Sequence, residues 1–391
     1  MRILLIHNKY GKFSGEESVL QSDKSLLEEK GNDVLLYSKS SEDISGLWSE
    51  MNAFFSGFHN YNSNLEIETI LLKFEPTIVH VHNLYPLISP SVLDVISKYK
   101  IPIVMTVHNY RLICPNGLLY TNGNICVRCE NGKEWNCILN NCEGSLAKSS
   151  GYALRNIYAR KRQLYSSNIS KFICLTKFQK QKLINNGFQK ERLKVLPNCL
   201  DSKISTDNPK ISNSYIAFSG RINRQKGFDL IIRAMNLIQL ESKITNKLTV
   251  TAAGHIDMPF INQYKVPKNI KLLGPLSKDK MEDFYLNAQF IIFASQSYEG
   301  APVVFLEAMK YELPIIAPRL GAYPEIIEDG FNGLLFTPGD YIDLSKKIRT
   351  LSLNKKLCKQ LGKRGNQKLK EKYSPDIHYN HLMSIYRELN E

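Results

Sequence analysis

Two carboxylates, Glu299 and Glu307, stand eight positions apart in Ser297-Tyr298-Glu299-Gly300-Ala301-Pro302-Val303-Val304-Phe305-Leu306-Glu307-Ala308-Met309. Apolar neighbours flank the second, where a lone charge costs roughly several kcal/mol unless something pairs with it. Upstream, Phe218-Ser219-Gly220-Arg221-Ile222-Asn223-Arg224-Gln225-Lys226-Gly227 sets two cations five residues apart in a turn. A forked guanidinium, a point charge and a following helix N-terminus suit a diphosphate. Carboxylates accept hydrogen bonds from hydroxyls, as a ribose or another sugar offers them. A Walker A loop, GxxxxGK[ST], is absent. Taken singly, the turn reads equally well as basic surface, and Glu307 as a side chain paired with a core Arg.

The elements that must hold these residues alternate between strand and helix. Strands are expected at Arg2–His7, Asp33–Tyr37, Thr77–Val81, Ile101–Val107 and Lys171–Leu175, with helical lengths between them. After a polar stretch at Asp201–Ser214 the alternation restarts with Tyr215–Ser219, a turn at Gly220–Gly227 and a helix over Phe228–Leu240. Leu248–Ala253, Ile270–Leu273, Ile291–Ala294 and Ile315–Ala317 supply further strands. Such alternation predicts two parallel sheets covered by helices, with ligands at the carboxyl ends of the strands. Glu299 then lies at a strand end and Glu307 inside the next helix, with Pro302 in that helix's first turn. The expected domains are 1–200, 201–372, and a C-terminal helix over 373–391 that packs back on the first.

Histidines and cysteines mark the first half. His108 ends the strand Ile101–Val107 and should project from a sheet edge. His80 and His82 alternate along another strand and share one face, which favours packing and local hydrogen bonds over metal. Cys114, Cys126, Cys129, Cys137 and Cys142 cluster in an insert over about 114–142. Cys126-x2-Cys129 is a knuckle spacing, and Cys114 with Cys137 or Cys142 would complete a zinc set, Cys114, Cys126, Cys129 and Cys142 being the combination favoured here. The same spacing is compatible with reduced thiols or disulfides.

The chain has 391 residues, 43% of them apolar and 23% charged, which implies a globular protein of two domains. Neither a signal peptide nor a membrane span is expected, and a cytoplasmic location with reduced cysteines follows. The net charge of +14 is concentrated in residues 144–198, where twelve Lys or Arg face one acid, Glu191. Such a block attracts anions, or simply solvates a helix face. Lys148, Arg155, Arg160, Lys161 and Arg162 fall on helical spacing with Leu154, Ile157 and Tyr158, as on a helix lying against an anionic leaflet.

The order and spacing of these motifs resemble the retaining GT-B glycosyltransferases of family 4 over nearly the whole chain. The resemblance rests on Glu299-x7-Glu307, Gly220-Arg221-x4-Lys226-Gly227, Thr106-Val107-His108-Asn109-Tyr110, Leu196-Pro197-Asn198, Gly321-Ala322-Tyr323-Pro324-Glu325 and the Tyr386 segment. It implies two Rossmann-like domains facing each other across a cleft. Arg221 and Lys226 would hold a donor diphosphate, and Glu307 the ribose. Glu299 would contact the transferred sugar beside Gly300 and the amides near Ala301 and Val303, with Gly220 and Gly15 letting backbone approach the phosphates. His108, Glu299, Arg221 and Lys226 would carry the catalysis.

The implied reaction moves a sugar, with retention, from a nucleoside diphosphate to a hydroxyl of a saccharide or polyprenyl-linked acceptor in bacterial surface polysaccharide synthesis. No carboxylate nucleophile is evident in the first half, which favours front-face attack, and no Asp-x-Asp accompanies the donor motifs, so no catalytic metal is expected. The enzyme would sit at the inner face of the cell membrane. Three departures touch loop geometry: Ser14-Gly15 where Gly-Gly is common, Cys199 where Gly follows the Asn, and Gly321-Ala322 for a Gly pair. Two rival classes remain. A non-hydrolysing sugar-nucleotide epimerase would need acid/base carboxylates in the first half. A nucleic-acid-binding protein would explain the charge but leave the Glu and Arg/Lys pairs without purpose, so nucleic acid is not an expected partner.

Overall fold

The computed structural model describes residues 1–9, 15–40, 57–203, 215–241 and 248–391. Gly11, Ser14 and most of the expected linker, 204–214, therefore lie outside the described residues. The chain forms two compact units. One comprises Met1–Thr121, Cys126–Asn198 and Pro375–Glu391; the other comprises Asn122–Ile125 and Cys199–Ser374.

The first unit is built on strands β1 (Arg2–Lys9), β2 (Asp33–Ser40), β3 (Ile78–Asn83), β4 (Ile103–Val107), β7 (Lys171–Cys174) and β8 (Leu193–Val195). They form one parallel sheet in the order β2-β1-β3-β4-β7-β8. β3 and β4 are buried at every residue, as strands covered on both faces must be. Two short strands, β5 (Tyr120–Thr121) and β6 (Asn124–Ile125), pair within the cysteine-bearing insert. The last helix, Pro375–Glu388, puts Leu382, Met383, Ile385 and Tyr386 into the core formed by Ile3, Leu5, Ile78, Val104 and Ile173.

The second unit repeats the plan with β9 (Tyr215–Ser219), β10 (Val250–Ala253), β11 (Ile270–Gly274), β12 (Ala288–Ile292), β13 (Ile315–Pro318) and β14 (Gly333–Phe336). Their order is β11-β10-β9-β12-β13-β14, again all parallel. The chain starts in the middle, runs to one edge, returns and runs to the other. The reversal lies between β9 and β12 in this unit and between β1 and β3 in the first. At such a switch point the loops leaving the two neighbouring strands diverge and open a crevice.

Two strands escape a reading by apolar runs. Leu193–Val195 is three residues long, and Gly333–Phe336 opens on a glycine. Gly333 is required there, because a Cβ would lie 2.5 Å from the Ile315 carbonyl oxygen.

Candidate active site

In the second unit both switch-point strands end in the loops singled out above. β9 runs into Gly220–Gly227 and the helix Phe228–Glu241; β12 runs into 293–302 and the helix Val303–Lys310. The loops are sewn together. Gln296 N donates to Gln225 O (2.8 Å), Gln225 Nε2 donates to Ser297 Oγ (3.1 Å), and Gln296 Nε2 donates to Asp229 Oδ1 (2.9 Å). Their approach depends on Gly227, at φ +70°, where a Cβ would sit 1.9 Å from the Ala294 carbonyl oxygen.

The pair expected to grip phosphate and sugar meets across this seam. Lys226 Nζ lies 2.7 Å from Glu299 Oε1, both side chains about one-fifth exposed (19% and 18%). Lys226 also stands over the Phe293 ring, 5.6 Å from its centroid. Arg221 is exposed and donates from Nη2 to Gln225 Oε1 (3.2 Å). It borders an open cavity of about 420 Å³ that Asn223, His255, Asp257 and Met258 also line.

Glu307 is half-buried, less enclosed than its apolar neighbours suggest. Burial pushes its carboxyl above the usual carboxylate range, against a hydrogen bond from Tyr285 and the charge of Lys310. The Tyr285 hydroxyl donates to Oε2 at 2.6 Å. Its partner is thus a neutral phenol rather than a cation, and carboxylate acceptor capacity is left over. Pro302 immediately precedes the helix rather than entering it, no side chain caps the helix start, and Phe305 N donates back to the Pro302 carbonyl at 3.0 Å; the amides of Val303 and Val304 come before any turn of helix that could accept them. Gly300 is buried at the loop's end and Ala301 half-buried beside it. Gly220, at φ +146°, leaves β9 in a conformation that side chains rarely adopt. Tyr323, from the Gly321–Glu325 motif, donates to the Ser297 carbonyl at 2.7 Å and so braces the Glu299 loop from behind.

In the first unit, His108 follows β4 and shares a 2.9 Å hydrogen bond, through Nε2, with Nδ1 of His82. The two rings stack with centroids 5.1 Å apart. His80 is fixed by Tyr386 OH (2.7 Å) and Thr106 Oγ1 (2.8 Å), in line with its expected role in local hydrogen bonding. The sequence reading missed His7, on β1, whose ring lies edge-on to His82 at 6.4 Å. Neither ring nitrogen of His7, nor Nε2 of His82, has a hydrogen-bond partner among the described residues. Burial lowers all four histidines, His7 to about 4 and His80 to about 3, so the row is neutral at physiological pH. Gly15 opens the helix Gly15–Glu29 after β1, and Glu16 accepts from Asn109 Nδ2 at 2.9 Å, beside His108.

The insert's thiols pack as a small core. Cys129 and Cys137 are buried with Ala153, against Ile138 and Cys142, and Cys114 is buried nearby. Cys126 is less enclosed. No three of these sulfurs lie within 4.8 Å of one another among the described residues. A zinc tetrahedron with Zn–S near 2.3 Å needs sulfurs about 4 Å apart, so the spacing does not itself make a ligand set.

One expectation is corrected. The helix Leu146–Lys161 does not present a row of free cations: Arg155 turns inward to 5% exposure, and Arg160 Nε pairs with Glu134 at 2.6 Å. Arg155 stacks on Tyr85, which helical spacing cannot foresee.

Comparison with known proteins decides the family. Residues 203–368 match the model for glycosyl transferases group 1, and residues 27–203 match that for glycosyltransferase family 4. The chain belongs to the group 1 glycosyltransferases. Among relatives of this family member, an uncharacterized glycosyltransferase of Methanocaldococcus jannaschii is 31% identical over 58% of this chain and 62% of its own. The capsular polysaccharide biosynthesis glycosyltransferase CapM of Staphylococcus aureus is 25% identical over 52% and 53%. The chain thus spans less than two thirds of these relatives' length. Solved structures share the GT-B fold. Anabaena HepE, in complex with UDP and glucose, superposes with a TM-score of 0.66 at 17% identity, over 99% of this chain and 100% of that one. Sucrose-phosphate synthase from Thermosynechococcus elongatus gives 0.71 at 14% identity, over 99% and 98%. Among the described residues no helix is long and apolar enough to cross a membrane.

Proposed function

We propose that this family member transfers a sugar from a nucleoside diphosphate to a hydroxyl of a saccharide or lipid-linked saccharide, with retention, in bacterial surface polysaccharide synthesis. The observation that carries the reading is the meeting of the Arg221/Lys226 loop with the Glu299/Glu307 segment at the switch point of one sheet. Arg221 and Lys226 bind the diphosphate, and Glu307 takes the ribose hydroxyls on the acceptor capacity that Tyr285 leaves over. On donor binding Lys226 exchanges part of its contact with Glu299 for phosphate oxygens, freeing Glu299 to accept from the sugar. A relative named for capsular polysaccharide biosynthesis, and a fold neighbour holding UDP and glucose, support this assignment.

The step follows front-face attack: the acceptor oxygen bonds to the anomeric carbon as the glycosidic bond to phosphate breaks, and the leaving diphosphate takes the acceptor proton. Preorganised cations and helix amides stabilise the growing phosphate charge, the term that usually dominates catalysis. His108, neutral and oriented by His82, donates to a sugar hydroxyl. Peripheral membrane attachment is part of the proposal, through exposed Lys148, Lys161 and Arg162 with the exposed Leu146 and Leu154.

A melting-temperature panel with UDP, GDP and their common sugars tests the donor assignment, because a ligand that binds only the native state raises stability by mass action. A saturable rise with one nucleotide, lost in Lys226→Ala, is expected. No rise with any of them would overturn the assignment.

A further inference from the structure

The parallel pairing of β9 with β10 does not stop where the two strands end. Ser219 pairs with Ala253, and the same register runs on to a bridge between Ile222 and Ile256. Gly220 N donates to the Ala253 carbonyl at 3.0 Å, Ile222 N to that of His255 at 2.8 Å, and Asp257 N to that of Ile222 at 3.1 Å. The extension passes through Gly220 and Gly254, at φ +146° and +140°, where the backbones touch: a Cβ on Gly254 would lie 2.0 Å from the Gly220 carbonyl oxygen.

This register fixes what stands beside what. Ile222 is buried in the core with Phe218 and Phe228, and Ile256 packs against the same cluster. Their chain neighbours must face the opposite way, which sets Arg221 beside His255 and Asn223 beside Asp257, on backbones about 4.8 Å apart. Those four side chains, with Met258 and Pro259, line the open cavity of about 420 Å³ that Arg221 borders. Clefts for small ligands run from roughly 300 to 1,000 Å³ and lie outside the carboxyl ends of such strands.

The lining has the chemistry of a sugar ring's surroundings. Arg221 gives one N–H to Gln225 and keeps the rest of its fork, while Asn223 accepts the Lys226 amide at 3.0 Å and keeps its amide donors. Asp257 caps the short helix Met258–Ile261, accepting from Phe260 N through Oδ1 at 3.3 Å, so its second oxygen is left for hydroxyls. Met258 is 55% exposed and offers an adaptable apolar surface to ring carbons. A phosphate alone would leave most of the cavity empty and be repelled by Asp257. The transferred sugar belongs with Glu299, on the loop after β12, whereas β10 is the neighbour on the other side of β9.

We propose that this cavity is a subsite for a saccharide ring of the acceptor, in which His255 and Asp257 determine the sugar accepted. The subsite rests on the transfer reaction proposed above for its role, not for its chemistry.

The test is saturation-transfer NMR of the full chain with the methyl glycosides of glucose, galactose, N-acetylglucosamine and glucuronic acid. Saturable binding of at least one is expected, weakened at least fivefold by His255→Ala and by Asp257→Asn, whose amide still caps the helix. Binding of none of them, or unchanged affinity in either variant, would overturn the proposal. Preference for the glucuronide supports the site with an acidic ring held on Arg221 and His255, and preference for a neutral glycoside supports it with an uncharged one. Displacement of the glycoside by UDP would return the cavity to the donor and overturn the acceptor assignment. UDP titrated alone reads the donor loop, so glycoside binding without UDP binding would keep the saccharide site and remove the transfer reading it serves.

Discussion

At the scale of single residues, the site is organised by pairs. Lys226 and Glu299 hold each other at 2.7 Å in a position where each is four-fifths covered. Lys226→Ala or Arg221→Ala should lower turnover by at least about a hundredfold, as loss of a preorganised charge contact typically does, while circular dichroism stays native. Near-normal turnover in either variant would contradict their role. The His82–His108 pair makes a subtler claim, because His82 acts through its neighbour. His82→Phe keeps a ring in the stack but removes the 2.9 Å hydrogen bond. We expect kcat to fall about tenfold with donor KM little changed, since only ring orientation is lost. His82→Asn, whose amide can still bond to His108, should recover part of it; equal loss in both variants would make His82 a packing residue only.

At the scale of elements, the last helix and the cysteine insert are held by different means. The helix Pro375–Glu388 is tied through Tyr386 to His80 at 2.7 Å and through His378 to Asp23 at 3.2 Å. Tyr386→Phe leaves a buried His80 nitrogen unsatisfied and should cost about 1–3 kcal/mol, measured by denaturant unfolding. The insert has thiols where other folds have Leu and Ile. Cys137→Ser puts a hydroxyl where the thiol is 1% exposed and should cost a similar ~1–3 kcal/mol. On the sulfur spacing, elemental analysis of protein purified without chelator should find less than about a tenth of an equivalent of zinc; one equivalent would mean that the segment closes around the ion.

For the whole molecule, histidine placement makes the two units respond differently to acid. Burial holds His7 near 4 and His80 near 3 in the native state, while unfolded rings take protons near 6.5. Because the native pKa is depressed, these groups contribute stability above about pH 6.5 and lose it as pH falls toward 4. The loss is of the order of 2 kcal/mol per ring at pH 5. For His378, burial works against protonation, but the charge and hydrogen bond of Asp23 and the Pro197 carbonyl outweigh it and raise the pKa. Its contribution runs the other way, present below pH 6.5 and lost as pH rises through the elevated value. Two strongly depressed rings outweigh one raised, so acidification weakens the first unit. Residues 199–374 hold a single histidine, His255. Hydrogen exchange at pH 5 should therefore show amides of β1, β3 and β4 opening before those of β9 and β12. The reverse order would refute the buried, neutral histidine row.

What the chain's own order of residues determined is local. Alternating apolar runs and turns marked ten of the twelve strands in the two large sheets, because a doubly covered parallel strand must be apolar along its length. The Gly220–Gly227 turn and the Glu299-x7-Glu307 spacing named the donor-side residues, because charge and hydroxyl chemistry depend on side-chain type. Partnerships across many residues stayed hidden. Nothing in Val79-His80-Val81-His82 says that His82 meets His108, since the contact depends on β3 lying beside β4. Helical spacing assigned Arg155 to an outer face, yet the packing of Tyr85 and Tyr152 turned it inward. Only tertiary structure decides which side of a helix finds a neighbour, because burial is a property of what packs against it.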